Sequence, residues 1–240
     1  MAEFWRGDRK VSTDAQVLIG QRTLTGAGRE DVWAGATATR PTPGGIQLRL
    51  VSAGAADDVA GTGVRRVRID YLGAGGVRQF EVVDLDGVVA VLTVATDIGA
   101  VLAITATEVG SGGAAAGVIS VTNVGVTETY DQIAVGDVQA RAAVWVVPGG
   151  KQFWIASVKA SASAAAVLRA VSNFNPITRQ VVTDGQFVLA EVQVGAALMV
   201  YTPAVDVGPI PAGARVWLSA QGAGNPIVNA TLEGYQAPAV

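Results

Sequence analysis

Residues 57 to 72 read DDVAGTGVRRVRIDYL: two aspartates, a Gly-Thr-Gly turn, then charged residues alternating with apolar ones. Three chemistries could use such a run. Carboxylates could hold a divalent cation or do acid–base work. A glycine turn could cradle phosphate, and the basic cluster Arg65, Arg66 and Arg68 could meet an anionic surface. Each can be weighed on inventory. Adjacent aspartates on an extended chain point to opposite faces, so Asp57 and Asp58 do not make a pair. Asp84 and Asp86 do share a face and could hold Ca²⁺ with nearby carbonyls, although Asp86-Gly87 reads first as a turn dipeptide. The chain contains no His and no Cys, which removes Ser-His-Asp and Cys-His catalysis and thiolate metal sites. Gly61-Thr62-Gly63 is read as a turn, and VPGGKQ at 147 to 152 lacks the first glycine and the hydroxyl of a phosphate loop. A glycosidase dyad would need two carboxylates across a cleft, and sugar clefts carry more aromatics than the 6% here. Asn229-Ala-Thr231 fits the glycosylation sequon as a chance match.

Arg66, Arg68 and Asp70 fall on one face of a strand, where self-neutralising surface pairs are the default and an anionic partner the alternative. The expectation is therefore no catalytic, cofactor or metal residue and no small-molecule substrate. Asp57→Asn, Asp84→Asn and Asp86→Asn should then leave assembly largely intact.

The elements that carry these residues are strands. Half of the 240 residues are apolar, 15% are charged, and 30 Gly and 9 Pro punctuate the chain. That composition excludes a disordered polypeptide and suits short strands with tight turns. A net charge of −3 offers no broad basic field for nucleic acid. MAEFWRGDRK lacks the apolar core of a secretory signal. Residues 85 to 107 are apolar enough to be weighed as a membrane span. Asp97, a glycine and several threonines interrupt them, favouring two buried strands joined at Asp97-Ile98-Gly99.

From Ile46 onward period-two segments recur: IQLRLVS, VRRVRIDYL, VRQFEVVDL, VAVLTVAT, AVLAITAT and GVISVTN, then RAAVWVV, KQFWIASV, QFVLAEVQV, ALMVYTP, ARVWLSAQG and IVNATLEGY. SASAAAVLRAV, 161 to 171, is helix by alanine propensity and strand by the alternation of Val167, Arg169 and Val171. The fold class expected is all-β, an antiparallel sandwich of jelly-roll type. Three regions are expected: an extended arm at 1 to 44, a first β half at 45 to 128, and a second at 129 to 240. The two halves could form one sandwich. The arm clusters its charges, ends in the hinge TRPTPGG, and carries Trp5 and Trp33. Aromatic anchors dominate interface energies, so Trp5 and Trp33 are the expected partner-docking residues.

Read together, REDVWAG (29 to 35), RPTPGGIQLRLVSAGAADDVAGTGVRRVRIDYLGAGG (40 to 76) and VVDLDGVVAVLTVATDI (82 to 98) resemble a group of tailed-bacteriophage virion proteins. In that group a Glu-Asp-x-Trp segment precedes a strand ending in Ser. An Asp/Gly-Thr-Gly turn, a strand ending Tyr-Leu and a Leu-x-Gly hairpin follow, the last matched by Leu85-Asp86-Gly87. VGSGGAAAGVISV (109 to 121) and VWVVPGGKQFWI (144 to 155) resemble its Gly-Ser stretch and Pro-x-Gly hairpin. The resemblance implies a β-sandwich structural protein of the virion, assembled in the host cytoplasm. A capsid decoration or minor capsid role leads. A tail, adaptor or fibre-anchoring role is the runner-up within that class, and a carbohydrate-binding module comes from another. The partners implied are other virion proteins, such as the major capsid protein, and copies of the chain itself. Low-charge strands left as open edges would aggregate, so a homo-oligomer is expected, with a trimer as its order. Neither nucleic acid nor membrane is an expected partner.

Overall fold

The structure, a computed structural model, describes residues 2–6, 9–26, 28–33, 45–182, 185–195, 197–202 and 207–239, the side chains of 2–13 excepted. Among these every regular element is a strand. In chain order the first ten are β1 (Ala2–Arg6), β2 (Arg9–Thr23), β3 (Glu30–Asp31), β4 (Leu48–Ser52), β5 (Val64–Gly73), β6 (Arg78–Asp84), β7 (Val91–Leu92), β8 (Ile98–Val109), β9 (Ile119–Asn123) and β10 (Thr129–Ile133). Next come β11 (Val144–Val146), β12 (Lys151–Ala162), β13 (Ala166–Ser172), β14 (Phe174–Asn175) and β15 (Gln180–Val181). The last five are β16 (Phe187–Val194), β17 (Met199–Tyr201), β18 (Val207–Pro211), β19 (Arg215–Gly222) and β20 (Ile227–Pro238). All-β architecture with antiparallel sheets is the observed class. No helix among the described residues is long and apolar enough to cross a membrane.

The chain divides into two units, and the division differs from the sequence expectation. One unit joins Met1–Trp33 to Ala143–Val240; the other is Ala34–Ala142. The cause is a long-range pairing. β2 runs antiparallel to β20 from Asp14↔Gln236 to Thr23↔Ile227, so residues expected to form an arm are a sheet strand instead. Residues 129 to 142 stay with the Ala34–Ala142 unit because β10 pairs with β9. The hinge TRPTPGG lies outside the described residues up to its last glycine.

In the discontinuous unit one sheet runs β1-β2-β20-β12-β17, with β18 also on β12; a second runs β11-β19-β13-β16, with β3 beside β19. Alternation builds its inside: Val228, Ala230 and Leu232 of β20 are buried, while Asn229 and Thr231 between them are less so. Gly20 on β2 allows the chain at Val32 to pass close, since a Cβ there would strike the Val32 carbonyl and the Ala143 side chain. The segment read as helix or strand holds the end of β12, a short turn and β13, two strands that lie in different sheets. Ala166, Leu168 and Ala170 are buried and alternate with half-buried Val167 and Arg169, a period no helix could satisfy.

In the continuous unit the sheets run β6-β5-β8 and β10-β9-β4-β7. Leu48, Leu50, Val67, Ile69, Val83, Ile104, Ile119 and Val121, drawn from both sheets, belong to one apolar core. Residues 85 to 107 contribute the short β7 and most of β8; the stretch is strand, but β7 is not buried, and Ile98 and Gly99, expected in the joint between two buried strands, open β8.

Candidate functional site

The opening run DDVAGTGVRR is held around one carboxylate. Asp57 is 0% exposed. Its Oδ1 accepts the N–H groups of Val64 at 2.8 Å and Ala116 at 2.9 Å. Its Oδ2 accepts the Ser52 hydroxyl at 2.5 Å and the Gly117 N–H at 2.9 Å. Four donors to one buried carboxylate is a complete shell, leaving little acceptor capacity for a ligand. The glycines permit that crowding. A Cβ at Gly63 would strike Asp57 Oδ1, and one at Gly117 would strike the Gly54 backbone. Gly61-Thr62-Gly63 is a turn, with Gly61 N–H donating to Asp58 O and Gly63 N–H to Ala56 O, each at 2.8 Å. Asp57 therefore ties β4, the start of β5 and the approach to β9, a structural role that the sequence expectation did not assign to it.

Asp84 and Asp86 are not brought together as a cation site. Asp84 accepts Arg66 Nε at 2.6 Å, and Asp86 sits in the turn where Val89 N–H donates to its carbonyl at 2.9 Å. Among the described residues no three metal-ligating side chains cluster. At VPGGKQ, Lys151 N–H donates to Pro148 O at 3.2 Å, closing a turn between β11 and β12, which lie in different sheets.

Arg66, Arg68 and Asp70 of β5 occupy one face, as the alternation implied. Arg66 bridges Asp84 and Glu108, at 2.6 and 3.2 Å. Arg68 grips Asp70 with two nitrogens, at 2.9 and 2.8 Å, and stands 4.1 Å over the Phe80 ring. Arg78 reaches the same Asp70 oxygen at 3.4 Å. Burial raises the Asp70 carboxyl, but hydrogen bonding and charge from Arg68, then Arg78, outweigh it and hold the group below its usual value. The face is thus neutralised in pairs, with Phe80 and Val82 on β6 left 58% and 47% exposed beside them.

The docking pair does not survive as a pair. Trp33 is 1% exposed, and its neighbour Val32 donates to Leu218 O at 2.9 Å, so the indole belongs to the inside of its unit. Glu30 secures that segment, accepting Arg22 Nε at 2.8 Å and the Thr25 and Gly26 N–H groups at 2.6 and 3.1 Å. Burial works against the charged form of Glu30, but these partners win and its carboxyl is held low. Trp5 lies in β1, paired with Lys10, and its side chain is outside the described residues.

Sequence reasoning passed over Asp131. It is 3% exposed, accepts its neighbour Gln132 N–H at 2.9 Å, and burial pushes its carboxyl up to about 7. The beside-lying Tyr130 phenol donates to Glu128 at 2.7 Å and is pushed up by burial and by that carboxylate. Among the described residues a cleft of about 410 Å³ lies between Phe174, Pro176, Arg179, Leu189, Pro209 and Ile210, away from every residue singled out in the sequence.

No protein-family model matches the chain, and no curated protein matches it. Two solved chains align along nearly its whole length. One is described as "Structure of infectious bursal disease virus Gt strain", at 10% identity over 99% of this chain and 80% of that one, with a TM-score of 0.16. The other is a D431N mutant VP2 protein of infectious bursal disease virus from T=1 particles, at 11% identity, 98% and 80% coverage, and a TM-score of 0.12. TM-scores this low do not establish a shared fold.

Proposed function

We propose that the chain is a structural component of a bacteriophage particle, a capsid decoration or minor capsid protein that attaches to the virion surface. One observation carries the reading: the motifs that resemble phage virion proteins are used to build the framework. Glu30 and Trp33 of REDVWAG secure and fill one unit. Asp57, Gly63 and Ser52 of the SAGAADDVAGTG run knot the other. Motifs devoted to a scaffold suit a protein whose product is a surface rather than a reaction.

The jelly-roll-like sandwich is part of the same proposal. In each unit an outer strand pair encloses an inner pair held in a different sheet: β4–β9 around β5–β8, and β12–β20 around β13–β19. Nesting of this kind supports a long hairpin rolled into two layers. The carbohydrate-binding alternative is less well served. Trp154 and Tyr235 stack on each other at 5.3 Å and 9°, so each ring gives one face to the other and not to a sugar.

Mass spectrometry of density-purified particles from the phage that encodes the chain tests the reading. The chain should be present at a fixed stoichiometry, co-migrating with either capsid or tail subassemblies, which also separates the two virion positions. A chain left wholly in the soluble fraction while particles pellet overturns it.

A further inference from the structure

β6 ends its sheet with an open edge among the described residues, with β5 on its other side. The register fixes which backbone groups face out. Leu85 N–H donates to Arg65 O and Gly73 N–H to Val77 O, so the odd-numbered residues of β6 make the hydrogen-bonded pairs with β5. Phe80, Val82 and Asp84 therefore turn their N–H and C=O groups away from β5, along the open edge.

Several other edges in the described chain are blunted in the usual ways. β8 is covered by residues 138 to 140, with Ala106 N–H donating to Val138 O at 2.7 Å and Ala140 N–H to Ile104 O at 3.0 Å. β18 carries Pro209 and Pro211, and β10 and the β13–β16 pairing contain register shifts. β6 has no proline, no lysine and no shift in its register with β5. It also exposes Phe80 and Val82 on the outer face.

We propose that two copies of the chain pair β6 to β6 antiparallel about a two-fold axis at Glu81. In that register Phe80 lies opposite the other copy's Val82, and Arg78 opposite the other copy's Asp84, at both ends. The outward groups of Phe80 and Val82 then meet as hydrogen-bonded pairs, and two three-stranded sheets become one of six strands. Sliding the axis to residue 80 sets Arg78 against Val82, and sliding it to residue 82 sets Asp84 against Phe80. The axis at Glu81 is the register that matches both charge and apolar side chains. The two Glu81 residues come face to face on the inner side. Each carboxylate is already engaged inward by the Val94 and Ala95 N–H groups, at 2.6 and 3.0 Å. A two-fold contact takes the place of the three-fold one expected from the sequence, and it stands independently of the virion reading.

Sedimentation equilibrium of the full chain should give a dimer, and a monomer at tens of micromolar overturns the proposal. Val82→Pro removes an outward N–H that β5 does not use, and should give monomers with an unchanged strand spectrum. Arg78→Glu and Asp84→Lys should each raise the dimer Kd by about tenfold or more, and the double variant should recover most of it. Failure of the double variant to recover, with both singles folded, overturns the register. Because the chain has no cysteine, Glu81→Cys should cross-link to itself under mild oxidant. Non-hydrogen-bonded pairs stand about 4.5 Å apart at Cα, within disulfide range. Gln79→Cys, which faces Val83 of the other copy, should not; equal cross-linking of the two overturns the axis. Absence of the chain from particles would end the virion reading and leave the dimer untouched.

Discussion

Asp57 and Gly117 lie 60 residues apart in sequence, and the Gly117 N–H donates to Asp57 Oδ2 at 2.9 Å. With Ser52, Val64 and Ala116 completing the shell, one side chain joins three segments of the continuous unit. Asp57→Ala leaves three N–H groups without their acceptor, two of them buried, and should cost about 3–5 kcal/mol. Asp57→Asn should also destabilise, because an amide NH₂ would face N–H donors. Gly117→Ala should destabilise independently, by forcing apart backbone that a Cβ cannot share. Urea denaturation checks all three; an Asp57→Asn midpoint equal to wild type would refute the knot.

Asp131 gives the continuous unit an unusual pH response. Its folded-state carboxyl is raised to about 7 by burial, above the unfolded value. Between roughly pH 4 and 7 the folded state holds a proton that the unfolded state has released, so stability falls as pH rises through this window. A shift of that size corresponds to about 4 kcal/mol at the alkaline end. Asp131→Asn should abolish the fall, matching wild type near pH 4 and exceeding it above pH 7. Denaturation midpoints across pH 4 to 8 check this, and parallel wild-type and variant curves would refute it.

These two aspartates show what the sequence could and could not reveal. Period-two segments such as VRRVRIDYL were legible because alternation is local, and the same alternation resolves 161 to 171 as strand. Asp57 was visible as a residue but not as a knot, since two of its donors come from Ala116 and Gly117. Asp131 was hidden for a different reason: the register shift between Thr129 and Asp131 turns Tyr130 and Asp131 both inward, and breaks the pattern that would have marked it as exposed. The unit boundaries were illegible because they follow from β2 finding β20 across the whole chain, a partner choice that nothing local records.

Asp70 should respond to acid in the opposite sense. Arg68 and Arg78 hold its carboxyl below the usual value, so the stability it contributes is complete above the unfolded pKa and is lost as pH falls through the lower folded one. Asp70→Asn should therefore destabilise at pH 7, and the difference from wild type should vanish in strong acid. Arg68→Ala removes both the bidentate partner and the cover over Phe80, and should cost more than Arg78→Ala. Thermal denaturation of the three variants at pH 7 and pH 3 checks the order; equal losses from Arg68→Ala and Arg78→Ala would refute it.

Trp33 offers the plainest contrast between docking and folding. An anchor waiting for a partner leaves the free protein's stability unchanged when it is truncated. An indole inside its own unit does not. At 1% exposure, Trp33→Ala should open a cavity and cost about 3–5 kcal/mol. The loss should fall on the discontinuous unit and be accompanied by greater proteolysis of β19, whose Leu218 carbonyl is bonded by Val32. Deleting residues 1 to 33 should be worse, because it strips β20 of the ten-residue pairing from Asp14 to Thr23. Denaturation followed by hydrogen exchange at β20 reads both effects. A Trp33→Ala protein with wild-type stability would return the residue to the role of a surface anchor.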